Sequence, residues 1–126
     1  MFKRVLIANR GEIAIRIARA ASSLGIDSVA VFTPTDSMSL HTKLAGSARE
    51  IAGDPVRGYL DIDAVIAAAK ASGSDCVHPG YGFLSENARF AERCAAEGLA
   101  FVGPSPASLK LFGDKVEARA FAQAQG

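Results

Sequence analysis

A chain of 126 residues fits one domain, and its formal charge of +1 argues against the basic footprint of a nucleic-acid binder. The apolar set makes up 49% of the residues, yet no apolar run nears the roughly 18 needed to span a bilayer, so that content reads as the core of a buried sheet. Cys76 and Cys94 form no Cys-x-x-Cys pair; one falls in a predicted strand and the other on a predicted helix, so both read as reduced core thiols. Met1-Phe2-Lys3-Arg4 runs straight into an apolar strand without a signal-peptide core, and a cytoplasmic protein is the simplest expectation.

Val5-Leu6-Ile7-Ala8 is a continuous apolar run, as in a strand covered on both faces. Asn9-Arg10-Gly11 forms a tight turn, and Glu12 to Leu24 has helical periodicity. Ile13, Ile17, Ala20, Ala21 and Leu24 make its apolar stripe; Glu12, Arg16, Arg19 and Ser23 line the opposite face, and Gly25 stops it. Ser28 to Phe32 is the second strand, followed by a polar loop over Thr33 to Ser39 and one short helix over Leu40 to Ala45. Ala48 to Ala52 reads as a third, weaker edge strand, and Asp54 to Tyr59 as a turn. Asp61 or Asp63 caps a second long helix that Gly73 ends. The strand Asp75-Cys76-Val77 comes next, then the loop His78-Pro79-Gly80-Tyr81-Gly82-Phe83-Leu84-Ser85-Glu86-Asn87. Ser85 is placed to cap the third long helix, from Asn87 to Glu97, which Gly98 closes. Leu99 to Val102 is the last strand; Gly103-Pro104-Ser105-Pro106 starts a short helix that Gly113 ends, and Asp114-Lys115-Val116-Glu117 opens a final one. Strands alternating with helices predict a doubly wound, Rossmann-like α/β domain with a parallel sheet and helices on both faces.

The chemistry concentrates at the predicted carboxyl edge of that sheet, where open α/β folds bind ligands. The first turn lacks Gly-x-Gly-x-x-Gly and would set Glu12 against a pyrophosphate, which argues against a dinucleotide. In the 78–87 loop, His78 is a candidate acid or base and equally a histidine packed in a turn. Tyr81 stands between Gly80 and Gly82, presented to a partner or packing locally. Glu86, at the end of the loop, reads as a first-turn residue of the following helix, favoured by its dipole, and His41 reads as a solvated loop residue. Lys115 sits near the start of a helix, where the dipole prefers negative charge, and so reads either as a phosphate contact or as a solvated lysine. No metal-ligand spacing is present.

Four stretches together resemble one family: Ile7-Ala8-Asn9-Arg10-Gly11-Glu12-Ile13-Ala14, His78 through Asn87, Phe101-Val102-Gly103-Pro104 and Gly113-Asp114-Lys115. They are similar to the N-terminal, pre-ATP-grasp domain of biotin carboxylases, which also opens pyruvate carboxylase, the acyl-CoA carboxylases and urea carboxylase. The resemblance covers the whole chain in register. It departs from the family pattern at Ser23, where some relatives carry an acid, at Ala45-Gly46 and at Thr33-Pro34-Thr35-Asp36.

The resemblance implies an enzyme that uses ATP, Mg2+ and bicarbonate to carboxylate biotin held on a carrier domain. It makes Lys115 an ATP-phosphate contact, Tyr81 a biotin-facing residue, and Arg16 and Arg19 subunit-interface positions in a homodimer or larger oligomer. It assigns residues 1–126 to the N-terminal domain, with the ATP-grasp and C-terminal domains outside this chain, and the fragment alone is expected to be inactive. Two other readings stand beside it: a nucleotide-binding domain of an oxidoreductase, and a non-catalytic interaction module.

Overall fold

The computed structural model describes residues 2–102. Five parallel strands form one sheet in the order β3-β2-β1-β4-β5. They are β1 (Arg4–Ile7), β2 (Asp27–Phe32), β3 (Ser47–Glu50), β4 (Cys76–His78) and β5 (Ala100–Phe101). The helices are α1 (Gly11–Ser23), α2 (Leu40–Leu44), α3 (Ile62–Ala71) and α4 (Ala88–Ala96). Arg4 to Ile7 pair with Asp27 to Ala30 on one side, and Val5 to Ile7 pair with Cys76 to His78 on the other, so β1 is the central strand.

Alternation along β1 divides the core between the two faces of the sheet. Leu6 and Ala8 join Val29, Val31 and Val77 against α3 and α4, where Phe90 and Cys94 are fully buried. Ile7 packs on Ala14, Ile17 and Ala18 of α1, while Val5 meets Ala21 and Cys76. Both cysteines are buried free thiols, on opposite faces, and burial pushes each up to about 11.

Each long helix closes in the same way. Gly25, Gly73 and Gly98 take φ of +72°, +70° and +74°, and the following N–H reaches back to the last turn: Ile26 to Ala21 O, Ser74 to Ala69 O, Leu99 to Cys94 O. This six-to-one bond satisfies carbonyls that would otherwise be orphaned, and the left-handed residue it needs is cheapest as glycine.

The elements match the sequence reading closely, with four corrections. Asn87, not Ser85, caps α4: its Oδ1 accepts from Phe90 N at 2.9 Å, while Ser85 N closes a turn onto Gly82 O. His41 is buried on α2, not solvated; its Nε2 donates to Val31 O at 3.1 Å, which ties the helix to β2. The stripe of α1 is Ala14, Ile15, Ile17, Ala18 and Ala21, whereas Leu24 is 65% exposed and Ala20 also lies open. The 33–39 segment is no plain polar loop, because Thr33 and Asp36 are buried around a 3-10 turn at Pro34–Asp36. Between the candidate caps of α3, Asp61 makes the bond, accepting from Ala64 N at 3.0 Å.

Phe90 fills the centre of the larger cluster and meets the edge of Phe101 at 5.8 Å between ring centroids. Phe90→Ala should lower the unfolding free energy by about 3–5 kcal/mol, measured by urea titration; a loss under about 1 kcal/mol would show that this contact does not organise the core.

Candidate functional site

The chain leaves β1 towards β2 and β3, then returns to build β4 and β5 on the other side. The strand order therefore switches between β1 and β4, and open α/β sheets bind ligands in the crevice at that point. Here the chain fills it. Asn9 follows β1 and is 1% exposed. Its Nδ2 donates to Pro79 O at 2.7 Å and to Tyr81 O at 2.6 Å, and its Oδ1 accepts from Arg10 N at 2.7 Å. Both amide protons are thus spent on the loop after β4. Ala8 N also donates to His78 O at 3.0 Å, carrying the β1–β4 ladder one residue beyond the strands.

Gly80 brings the same loop onto α1. It takes φ of +63°, and a Cβ there would stand 2.5 Å from Ile13 Cγ2 and 3.0 Å from Asn9 Nδ2. Only a residue without a side chain allows this approach. Beyond it the turn exposes Tyr81, 80% accessible, while Leu84 anchors the far end in the core at 2%. Phe83 holds a positive φ of 46° and lies 5.4 Å from the Tyr59 ring, so packing stabilises a backbone conformation that L-residues avoid.

His78, half-buried, accepts from Gly80 N through Nδ1 at 3.1 Å. The backbone can only donate, so the neutral ring carries its proton on Nε2, and burial shifts its pKa downwards. The structure thus gives His78 a place in the turn. Glu86 is exposed and precedes the cap Asn87; α4 has no acid in its first turn, so the expected dipole contact is not made.

The cation of the first turn is turned aside. Arg10 Nε and Nη2 donate to Asp36 Oδ2 and Oδ1, each at 2.7 Å, and Tyr59 OH donates to Asp36 Oδ2 at 2.7 Å. The Arg10 bonds, aided by Tyr59, hold the Asp36 carboxyl down at about 2 despite its burial. Burial and the bond to Asp36 push the Tyr59 phenol up to about 12. With Arg10 committed and Glu12 in the first turn of α1, a pyrophosphate finds no cation there.

Arg16 and Arg19 are exposed on α1, as the sequence predicts; Arg16 meets Glu12 at 3.4 Å, a pair too open to add much stability. Beside this face runs an apolar groove of about 740 Å³, lined by Phe2, Val5, Ile17, Leu24, Cys76 and Val102, with Arg16, His78 and Tyr81 at its walls. Val5, Ala21 and Cys76 in its lining are buried, while Leu24 in the same lining is 65% exposed. Lys115, the predicted phosphate contact, lies outside the described residues, as do the predicted elements from Gly103 onward. Among the described residues no three His, Cys, Asp or Glu side chains gather as a metal site, and no helix is long and apolar enough to cross a membrane.

The family model "Biotin carboxylase, N-terminal domain" matches residues 1–109. The chain belongs to that family. It is 50% identical over 127 residues to a biotin carboxylase of Halalkalibacterium halodurans, covering 100% of this chain and 28% of that protein. It is 52% identical over 126 residues to the mitochondrial pyruvate carboxylase of Rattus norvegicus, covering 98% of this chain and 11% of that one. The biotin carboxylase domain of a thermophilic 2-oxoglutarate carboxylase, solved bound to ADP without magnesium, is similar at a TM-score of 0.90 and 41% identity, over 100% of this chain and 28% of that one. The biotin carboxylase N-terminal domain thus spans little more than a quarter of the first relative and far less of the second. Membership in this family disfavours the oxidoreductase alternative, in agreement with the filled crevice.

Sequence reasoning placed the loop and the exposure of Tyr81. It missed Asn9, Asp36 and Tyr59 as a polar scaffold. The available signal was two polar residues, Asn9 and Arg10, directly after a buried apolar run, where each needs a partner.

The sign of the Asp36 effect is fixed. Its folded pKa lies below the ordinary 3.8, so the stabilisation is present above about pH 4 and is lost as pH falls through about 2. It amounts to something on the order of 2 kcal/mol. Asp36→Asn should be less stable at pH 7 and should lose less further stability on acidification, followed by chemical denaturation at a series of pH values. Parallel acid profiles for the two proteins would contradict this.

Proposed function

We propose that the chain serves as the N-terminal portion of a biotin carboxylase that uses ATP and bicarbonate to carboxylate biotin on a carrier domain. The 78–87 loop contributes the biotin-facing edge, with Tyr81 foremost, and Lys115 contributes an ATP-phosphate contact. The observation that carries this reading is the presentation of Tyr81, 80% exposed, on a loop fixed at the switch point of a family member. The described residues do not fit Mg-ATP, since no acidic cluster is present among them and the start of α1 has its arginine engaged. In this reading the nucleotide and metal are held mainly by the ATP-grasp domain, and bicarbonate binds outside the described residues too. The two buried thiols suit a reducing cytoplasm. The final carboxyl acceptor is left open, because relatives of different acceptors are similar at nearly equal identity.

These 126 residues alone should turn over neither ATP nor biotin. One charge-assisted bond from Lys115 is worth roughly 1.5–3 kcal/mol, whereas even millimolar binding needs about 4. Calorimetric titration with Mg-ATP should show no binding tighter than the millimolar range. In the full-length enzyme, Lys115→Ala should raise KM for ATP, lower kcat, or both. Micromolar binding by the chain alone, or wild-type kinetics of the variant, would refute the role of Lys115.

The exposed Arg16/Arg19 face is proposed as a subunit contact in the full-length enzyme. Charge reversal at Arg19 should shift the sedimentation coefficient towards a smaller species. An unchanged oligomer would count against this interface.

A further inference from the structure

We propose that Asn9 is a positioning residue for the biotin-facing loop: its buried amide joins the turn after β1 to the turn after β4 and so fixes where Tyr81 stands. This rests on the reading of Tyr81 given above and extends it to a residue on a different element.

Three observations meet at Asn9. First, both amide protons go to carbonyls of the same loop, Pro79 O and Tyr81 O, two residues apart. A pair of bonds to one loop fixes its height and its rotation together, which a single bond cannot do. Second, Asn9 is 1% exposed and its bond to Pro79 O is buried, so replacing the amide leaves that acceptor unsatisfied in a place closed to solvent. Third, Gly80 sits between the two carbonyls with the tightest approach of the loop, 2.5 Å from its would-be Cβ to Ile13 Cγ2. The loop is pulled down by Asn9 and stopped by Ile13. The position of the Tyr81 ring is therefore set through its backbone, since its side chain is 80% exposed.

Chemistry selects the amide. An aspartate of the same shape would aim a carboxylate oxygen at two carbonyl oxygens, with no proton to share. Alanine would remove both bonds, together with the one that Oδ1 accepts from Arg10 N. Three of the four hydrogen bonds open to the amide are made within the protein, which suits a positioning role.

The test uses the full-length enzyme, free biotin as the probe and Mg-ATP as the second varied substrate. Asn9→Ala should raise KM for biotin about tenfold, from the loss of the two bonds that hold the loop, with KM for ATP changed less than about twofold. Hydrogen exchange of the amides of residues 80–83 should quicken while the strands stay protected. Gly80→Ala, whose Cβ would press on Ile13 Cγ2 and on the Asn9 amide and so lift the loop off both, should reproduce both effects and supplies the test if Asn9→Ala fails to fold. Equal rises in both KM values, or unchanged loop exchange in a folded variant, would overturn the proposal. Tyr81→Ala separates the two layers. If it leaves KM for biotin unchanged, the biotin-facing reading fails, and loop exchange alone then decides whether Asn9 holds the loop.

Discussion

Everything at the carboxyl edge depends on how β1 ends. It is the central strand, buried on both faces, and two adjacent polar residues follow it. A buried polar group without a partner costs roughly 1–3 kcal/mol, so Asn9 must be satisfied by nearby chain, and so must the buried carboxylate of Asp36 that the part-exposed Arg10 reaches. The two residues reach in opposite directions. Asn9 turns towards the loop after β4, and Arg10 turns towards the segment after β2, where Asp36 receives it while Tyr59, from the connection after β3, donates to the same carboxylate. One dipeptide thereby ties three connections into a single unit, and the loop bearing Tyr81 inherits its stiffness from that unit.

The same arrangement explains why a doubly wound sheet need not bind a dinucleotide. The fold offers a crevice at the strand-order switch and a helix start beside it. Binding there needs an open crevice, a close backbone approach and a free cation. In this chain the crevice holds the Asn9 amide, the close approach is used by Gly80 against Ile13, and the cation is paired with Asp36. Each device that serves a cofactor in other doubly wound domains serves here to hold one loop against another. The absence of Gly-x-Gly-x-x-Gly and the presence of Glu12 were the parts of this visible in the sequence.

Legibility followed how local the cause is. Strands in the sheet interior advertise themselves as apolar runs, and β1, β2, β4 and β5 lie where those runs are, whereas the edge strand β3 is largely polar and is exposed throughout. The stops of α1, α3 and α4 were legible because a left-handed closing residue favours glycine whatever surrounds it. Ser85 and Asn87 are both good caps, and only the turn onto Gly82 decides between them. Long-range partners were not legible. His41 is buried because Val31 O lies beneath α2, Asp36 because Arg10 arrives from another loop. Leu24 matched the helical period and is nevertheless open, on the wall of the groove beside α1. Periodicity tells which side of a helix is apolar; only the topology tells how wide a surface it meets.

Stiffness in the loop and weakness in intrinsic binding belong together. A surface side chain such as Tyr81 gains little from contact with a ligand if it must first be ordered, because immobilising it costs about 0.5–1.5 kcal/mol. Holding the backbone beforehand, through Asn9 and the Gly80 approach, removes part of that cost before any ligand arrives. In the proposed role the tip would act as a fixed wall, adding selectivity of shape to a site whose attraction comes from elsewhere. The chain spans little more than a quarter of the first relative's length, and the same proposal leaves the charges and metal for phosphoryl chemistry to the remainder.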